Sequence, residues 1–248
     1  MSYLELKNVT KSYNDRIIFK DLNMNVEKGK FISIIGSFGI GKSTLLKIIS
    51  GLEEINSGKI IINNKSVKTL KKDNKIGFAF QEPMLLPWRT VYDNINLPCE
   101  IKKTDKKNKI ENLLKKVDLF DKENVYPSEL SGGMQRIVSI LRSIVLEPSI
   151  LLLDEPFSSI DEINRDDLHE KLISLQQEKK ITTILVTHSI HEAVYLSDEI
   201  YILGNSPTEI IKKIKIHNPR NKDKKFSEET LDKVNEIKKE LRKVIKNA

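Results

Sequence analysis

Gly36-Ser37-Phe38-Gly39-Ile40-Gly41-Lys42-Ser43 satisfies G-x-x-x-x-G-K-S. The chemistry of that pattern is the holding of phosphate. Glycines let the backbone curl so that successive N–H groups, those of Ser37, Phe38 and Ile40 among them, point inward at anionic oxygens. A helix starting near Lys42 aims its positive dipole end at the same anion, and Thr44 lies in its first turn. Lys42 would add a point charge between β- and γ-phosphates, and the Ser43 hydroxyl would ligate Mg²⁺. Five of the ten glycines fall at 36–41 and 132–133, so a glycine-poor chain concentrates them in two places. The first of these reads as a nucleoside triphosphate site.

Two further groups extend that chemistry. Ile150-Leu-Leu-Leu-Asp154-Glu155 is an apolar run ending in two carboxylates. Asp154 at the end of a buried strand can hold Mg²⁺ through a water. Glu155, one residue on, is the candidate base or water-positioning group. Leu130-Ser131-Gly132-Gly133-Met134 opens a helical run about twenty residues before Asp154. Ser131 and the Gly132 and Gly133 amides can bind another phosphate there. One nucleotide does not need two such cradles from one chain. The economical arrangement is a head-to-tail dimer in which each Ser131 closes over the partner's ATP.

These groups need elements to position them. Phe31–Ile35, Ile150–Asp154 and Thr182–Thr187 read as buried strands, with helical segments between. Before Phe31 and around Lys59–Asn63 the apolar residues alternate, as in a half-exposed antiparallel sheet. Between Pro87 and Pro148 the period turns helical; Ile110, Leu113, Leu114 and Val117 share one face. Ser227 can cap a last helix whose first turn carries Glu228 and Glu229 and whose Leu231, Val234, Ile237, Leu241 and Val244 recur at helical spacing. The expected organisation is a nucleotide-binding α/β core with a β subdomain at 1–86 and 149–204, a helical subdomain at 87–148, and a basic extension at 205–248 ending in an amphipathic helix packed on the core.

Composition narrows the function classes. The chain has 248 residues, a formal charge of +7 and a single cysteine, Cys99, so a disulfide framework and a Cys-based zinc site are excluded. Residues 205–248 carry 13 Lys/Arg against 7 Asp/Glu, and the first 204 net only +1, so the basic excess belongs to the tail. Lysines outnumber arginines 35 to 7, whereas bidentate recognition of bases and phosphates favours Arg, and no aromatic residues interleave with them. Nucleic acid is therefore not an expected partner. The opening residues lack the apolar core of a secretory signal, and no run approaches the roughly 18 apolar residues of a membrane span.

Taken in order, these motifs resemble the ATP-binding subunits of ABC transporters over about residues 1–216. The resemblance implies a P-loop NTPase core of RecA-like type with an antiparallel β subdomain and an inserted α-helical subdomain, ATP and Mg²⁺ as cofactors, and ATP hydrolysis as the activity. It also assigns further residues. Tyr13 lies where the family stacks adenine. Gln81, in Phe78-Ala-Phe-Gln-Glu-Pro, is the glutamine that senses Mg²⁺ and faces the membrane partner. Asp161, in Ser158-Ser-Ile-Asp, is the aspartate of the loop after the catalytic strand. His188, in Val186-Thr-His, is the histidine that contacts the γ-phosphate.

The run Phe80-Gln-Glu-Pro-Met-Leu-Leu-Pro-Trp-Arg-Thr-Val-Tyr-Asp-Asn-Ile95 and the later Glu192-Ala-Val-Tyr-Leu-Ser-Asp198 resemble the nitrate/sulfonate/taurine importer subfamily. That implies a homodimer or paired ABC subunit, a permease docking near Gln81–Trp88, an external solute-binding protein, and a place on the inner face of the cell membrane. Uptake of another small organic solute, such as a vitamin precursor, is the alternative within the class. A soluble ABC ATPase acting on ribosomes or DNA is the alternative outside it; such proteins usually carry two cassettes or a coiled-coil insertion. The chain departs from the family pattern at Ser37-Phe38, Ile40 and Ser159-Ile160. It departs also after Met134, where Arg136 and Ile137 stand in place of the usual Gln-Arg pair while Arg142 matches the next family Arg. The last departure bears on how the helix beyond the signature packs.

Overall fold

A computed structural model describes residues 2–158, 160, 162–217, 219–220 and 227–246. In chain order the elements are β1 (Ser2–Tyr13), β2 (Arg16–Glu27), β3 (Phe31–Ile35), α1 (Lys42–Ser50), β4 (Ser57–Ile62), β5 (Lys65–Ser66), α2 (Val67–Lys72), β6 (Ile76–Ala79), α3 (Val91–Lys102), α4 (Lys107–Lys116), α5 (Gly132–Ile144), β7 (Ile150–Asp154), α6 (Glu162–Lys179), β8 (Thr182–Val186), α7 (Ile190–Leu196), β9 (Glu199–Gly204), β10 (Glu209–Lys215) and α8 (Glu228–Lys246). They form two compact units, 1–73 with 180–248, and 74–179.

In the first unit, β1 pairs antiparallel with both β2 and β4, and β4 with the short β5. Their alternating burial, with Leu4, Leu6, Val9, Leu22, Met24 and Val26 inside, is the period-2 pattern of a sheet with one covered face. In the second sheet of this unit, β3 lies between β8 and β9, parallel to both, and β10 closes antiparallel on β9. Every residue of β3, β8 and β9 is buried, as expected for parallel strands covered on both faces. Helix α1 follows β3 after six residues and packs Leu45, Leu46, Ile48 and Ile49 inward.

Helix α8 is docked rather than free. The Ser227 hydroxyl accepts from the Thr230 N–H at 3.3 Å, and Val234 and Ile237 lie fully inside a cluster with Ile35, Ala193, Val194, Ile200, Ile202 and Ile214. Leu241 packs against the same cluster; Leu231, at 44% exposure, does not join it, and the Val244 side chain lies outside the described residues. Lys212 of β10 pairs with Glu236 at 3.0 Å and Glu240 at 3.5 Å, tying the basic segment to the helix. Val234, Ile237 and Leu241 thus form the covered face of this helix.

In the second unit, β6 and β7 are parallel, Ala79 opposite Leu153. Gly77 has a reason to be glycine: an added Cβ would lie 2.5 Å from the Ser143 carbonyl, so α5 packs directly onto this strand. Thr90 caps α3 and Ser131 caps α5, each side chain accepting the N–H three residues on. The helical face of 110–117 is buried as its spacing requires, and Cys99 sits in α3 as a small buried apolar residue. The α5 helix is regular through the departure after Met134: Ile137 is buried at the position of the family's Arg.

If α8 is integral to the first unit, Ile237→Ala should cost about 2–5 kcal/mol, the range for emptying a buried Ile site. Urea denaturation measures this, with Leu231→Ala, on the exposed face, expected to change stability by under about 0.5 kcal/mol.

Candidate functional site

The phosphate-binding loop begins where β3 ends. Gly36 abuts β9: a Cβ there would approach the Leu203 carbonyl to 2.9 Å. Gly41, at φ 102°, packs against β2, where a Cβ would meet Ile18 at 2.7 Å and Phe19 at 3.1 Å. A side chain is thus excluded twice over, by backbone conformation and by space. Gly39, φ 74°, has open space instead, so its requirement is conformational alone. From the far side the buried Thr208 hydroxyl donates to the Ile40 carbonyl at 2.6 Å.

The Lys42 ammonium curls over this loop and donates to the carbonyls of Gly36 at 2.9 Å and Ser37 at 3.0 Å. The loop is thereby folded around a positive charge at the start of α1, where the first-turn N–H groups face the same way. That is a fitting cradle for a polyphosphate, and Ser43 at its rim is a fitting oxygen ligand for Mg²⁺. Phe38 is fully exposed at the loop's tip, contributing backbone and no packing.

His188 stands at the corresponding end of the neighbouring strand. Ile34 pairs with Val186, so Gly36 and His188 are each two residues beyond that pair. Ligands of open parallel sheets bind at these carboxyl ends. His188 is exposed in a turn fixed on both sides: the Thr187 hydroxyl donates to the Glu192 carboxylate at 2.6 Å and accepts from the Ser189 N–H at 3.0 Å.

Tyr13, at the end of β1, is half exposed. Its hydroxyl is hydrogen-bonded to the Glu53 carboxylate, and the Lys11 ammonium lies 4.4 Å from the ring centroid. Lys11 and Lys47 also approach Glu53, at 3.5 and 3.6 Å. Glu53 was not legible as a site residue, because its partner is 40 residues away and no motif marks it.

The second unit repeats the strand-end geometry. With Ala79 opposite Leu153, Gln81 and Glu155 are each two residues beyond a parallel pair. Asp154 is buried as the last residue of β7, and Glu155 adopts φ 45°, a left-handed conformation uncommon for a residue with a Cβ. The Ser158 hydroxyl donates to the Glu155 carbonyl at 3.0 Å, closing the turn. Gln81 is exposed. Asp161 lies outside the described residues.

Ser131 and Gly132 are exposed at the start of α5, and Gly132 has nothing within 4 Å of a would-be Cβ. Beside them opens a cavity of about 210 Å³ walled partly by Asp118, Asp167 and Lys171. The segment between Gln81 and α3 is held by the fully buried Asn94. Its amide accepts from the Leu86 N–H at 2.8 Å and donates to the carbonyls of Leu86, Arg89 and Thr90 at 3.0–3.1 Å. Arg142 donates to the carbonyls of Pro83 and Met84, both at 2.8 Å. On this fixed segment Trp88 is 70% and Met84 60% exposed, while Leu85 and Leu86 are half-buried.

The fold and these loops define a nucleotide-binding cassette, and the comparisons agree. The family model for ABC transporters matches residues 19–158. The aliphatic sulfonates import ATP-binding protein SsuB of Bacillus anthracis is 42% identical over 219 residues, covering 88% of this chain and 86% of that protein. Its counterpart in Zymomonas mobilis is 39% identical, with 90% and 91% covered. Among solved structures, the ATP-binding cassette MJ0796, a dimer in a post-hydrolysis state bound to ADP and Pi, aligns with a TM-score of 0.76 at 31% identity, covering 87% of this chain and 99% of that one. Clostridium perfringens cbiO1, part of the ABC transporter complex cbiONQ, aligns with a TM-score of 0.77 at 26% identity, 94% of each chain covered. The chain belongs to the ABC transporter family.

Lys42 is the loop's only side-chain cation, so Lys42→Ala should lower ATP hydrolysis by on the order of 100-fold or more, the usual loss when a charge-stabilising donor is removed from a reacting phosphate. Phosphate release from ATP measures it, and circular dichroism should show the fold retained.

Proposed function

We propose that this chain is the ATP-hydrolysing subunit of an importer of the nitrate/sulfonate/taurine type, working as a head-to-tail dimer with ATP and Mg²⁺ at the interface. The observation that carries the reading is the phosphate loop: a buried parallel strand, two glycines that admit no Cβ, and a lysine ammonium folded onto the loop. Phosphoryl transfer to water requires mainly positioning and charge neutralisation. Lys42 and the loop amides of residues 36–44 hold the phosphates. Ser43, Gln81 and Asp154 would hold Mg²⁺, which when bound neutralises charge on the β- and γ-oxygens. Glu155 orients and deprotonates the attacking water, and His188 contacts the γ-phosphate. Tyr13 stacks on the adenine, held by Glu53.

Ser131, Gly132 and Gly133 engage the partner's nucleotide, with Asp161 lining the same dimer interface. The existence of two phosphate cradles on one chain supports this arrangement, as does the dimeric state of MJ0796. Work is passed to a permease docked near Gln81–Trp88. The exposure of Met84 and Trp88 on a segment braced by Asn94 and Arg142 supports that site, since large apolar anchors on a rigid frame are what a docking surface needs. Specificity would rest with the permease and an external binding protein, the sulfonate class being the one shared by the relatives' names. Among the described residues no helix is long and apolar enough to cross a membrane; docked on a permease, the subunit would sit peripherally on the inner face of the membrane. In domain terms, 1–86 with 149–204 form the nucleotide-binding core, 87–148 the helical subdomain and 205–248 the basic extension.

Glu155→Gln should bind ATP without turning it over and accumulate as a dimer on a sizing column with ATP and Mg²⁺, reverting to monomer with ADP. A variant that stays monomeric with ATP, or hydrolyses it at the native rate, contradicts the assignment.

A further inference from the structure

Arg136 stands in the second turn of α5, after the Ser131 cap. One of its terminal nitrogens donates to the Gln81 carbonyl and the other to the Ser158 hydroxyl at 3.3 Å. Ser158 in turn donates to the Glu155 carbonyl through its hydroxyl at 3.0 Å and its N–H at 3.2 Å. A single guanidinium therefore touches the loops leaving both β6 and β7, and it is carried by the helix whose first residues form the signature. It is half-buried, and burial pushes its pKa below the ordinary arginine value.

We infer that Arg136 is a positioning residue that fixes Gln81 and Glu155 relative to the signature helix, so that engagement of nucleotide at Ser131–Gly133 is felt at both loops. The inference rests on the proposed roles of Gln81 and Glu155. Its physical basis is the planar fork: two N–H groups diverge from one rigid group to two acceptors on separate segments, which a lysine ammonium on a flexible stem does not reproduce. Glu155 needs such support, because its left-handed backbone is sparsely populated unless its surroundings impose it. The Arg136–Ser158–Glu155 chain of hydrogen bonds closes the turn in which that conformation sits.

Arg136→Lys keeps the charge and loses the fork; Ser158→Ala removes only the relay hydroxyl. In full-length protein, Arg136→Lys is expected to lower kcat for ATP about tenfold, a barrier change of about 1.4 kcal/mol. KM for ATP should stay within about twofold, the signature of an interaction used in the reaction and not in ground-state binding. Ser158→Ala should show a smaller fall of the same kind. Amide hydrogen exchange gives a readout independent of turnover: in Arg136→Lys the segments 81–84 and 155–158 should exchange faster together, while the interior of α5 keeps its protection. Unchanged exchange in both segments, or kcat within twofold of native in both variants while Glu155→Gln is inactive, overturns the inference and leaves the site reading intact. Faster exchange throughout α5 with a matching rise in KM marks a merely structural arginine and also overturns it. Should Glu155→Gln itself hydrolyse ATP, the reading of the base fails first and takes this inference with it.

Discussion

Everything in this protein depends on how a chain brings backbone N–H groups to an anion without a side chain in the way. Each amide is a weak partial charge, so several must converge, and a curled loop leading into a helix at the end of a buried strand brings them together. The turn between the two must reverse tightly against its neighbours. At Gly41 the backbone is left-handed and lies against Ile18 and Phe19, leaving no room for a Cβ. Strands β3, β8 and β9 are buried on both faces because they are the frame that holds this turn, and Thr208 pins it from the other side.

The same logic explains where the remaining polar residues stand. Parallel strands in register deliver the residues that follow them to one edge, so Gly36 and His188 leave together, and Gln81 and Glu155 likewise. None of these side chains has to be brought by a long loop. What loops add is restraint: capped helices, an asparagine satisfied on all sides, and arginine forks onto carbonyls. These bonds contribute modestly each, about 0.5–1.5 kcal/mol, but they decide geometry.

Much of the frame could be read from residue spacing. The strand before the glycines, the helix after Lys42, the apolar run ending at Asp154 and the face of 110–117 are local patterns, and local patterns determine local structure. The tail helix followed the same rule, since Val234 and Ile237 mark a buried face by period alone. Arg136 shows where spacing stops informing. As sequence it is a displaced residue in a familiar motif; its bonds run to positions 55 and 22 residues away. Glu53 beneath Tyr13 and Asn94 under Leu86 were likewise silent, because a side chain that serves another segment's backbone leaves no periodic trace. Trp88 stands 70% exposed on the braced segment, a placement its spacing alone does not give.

The central claim, that ATP hydrolysis here drives a membrane permease, is tested most directly by what the protein is bound to. The tagged chain, recovered from gently solubilised membranes of its native cell, should carry a polytopic membrane protein in near-equal amount. Recovery from the soluble fraction alone, with ribosomal proteins or nucleic acid, would contradict the account.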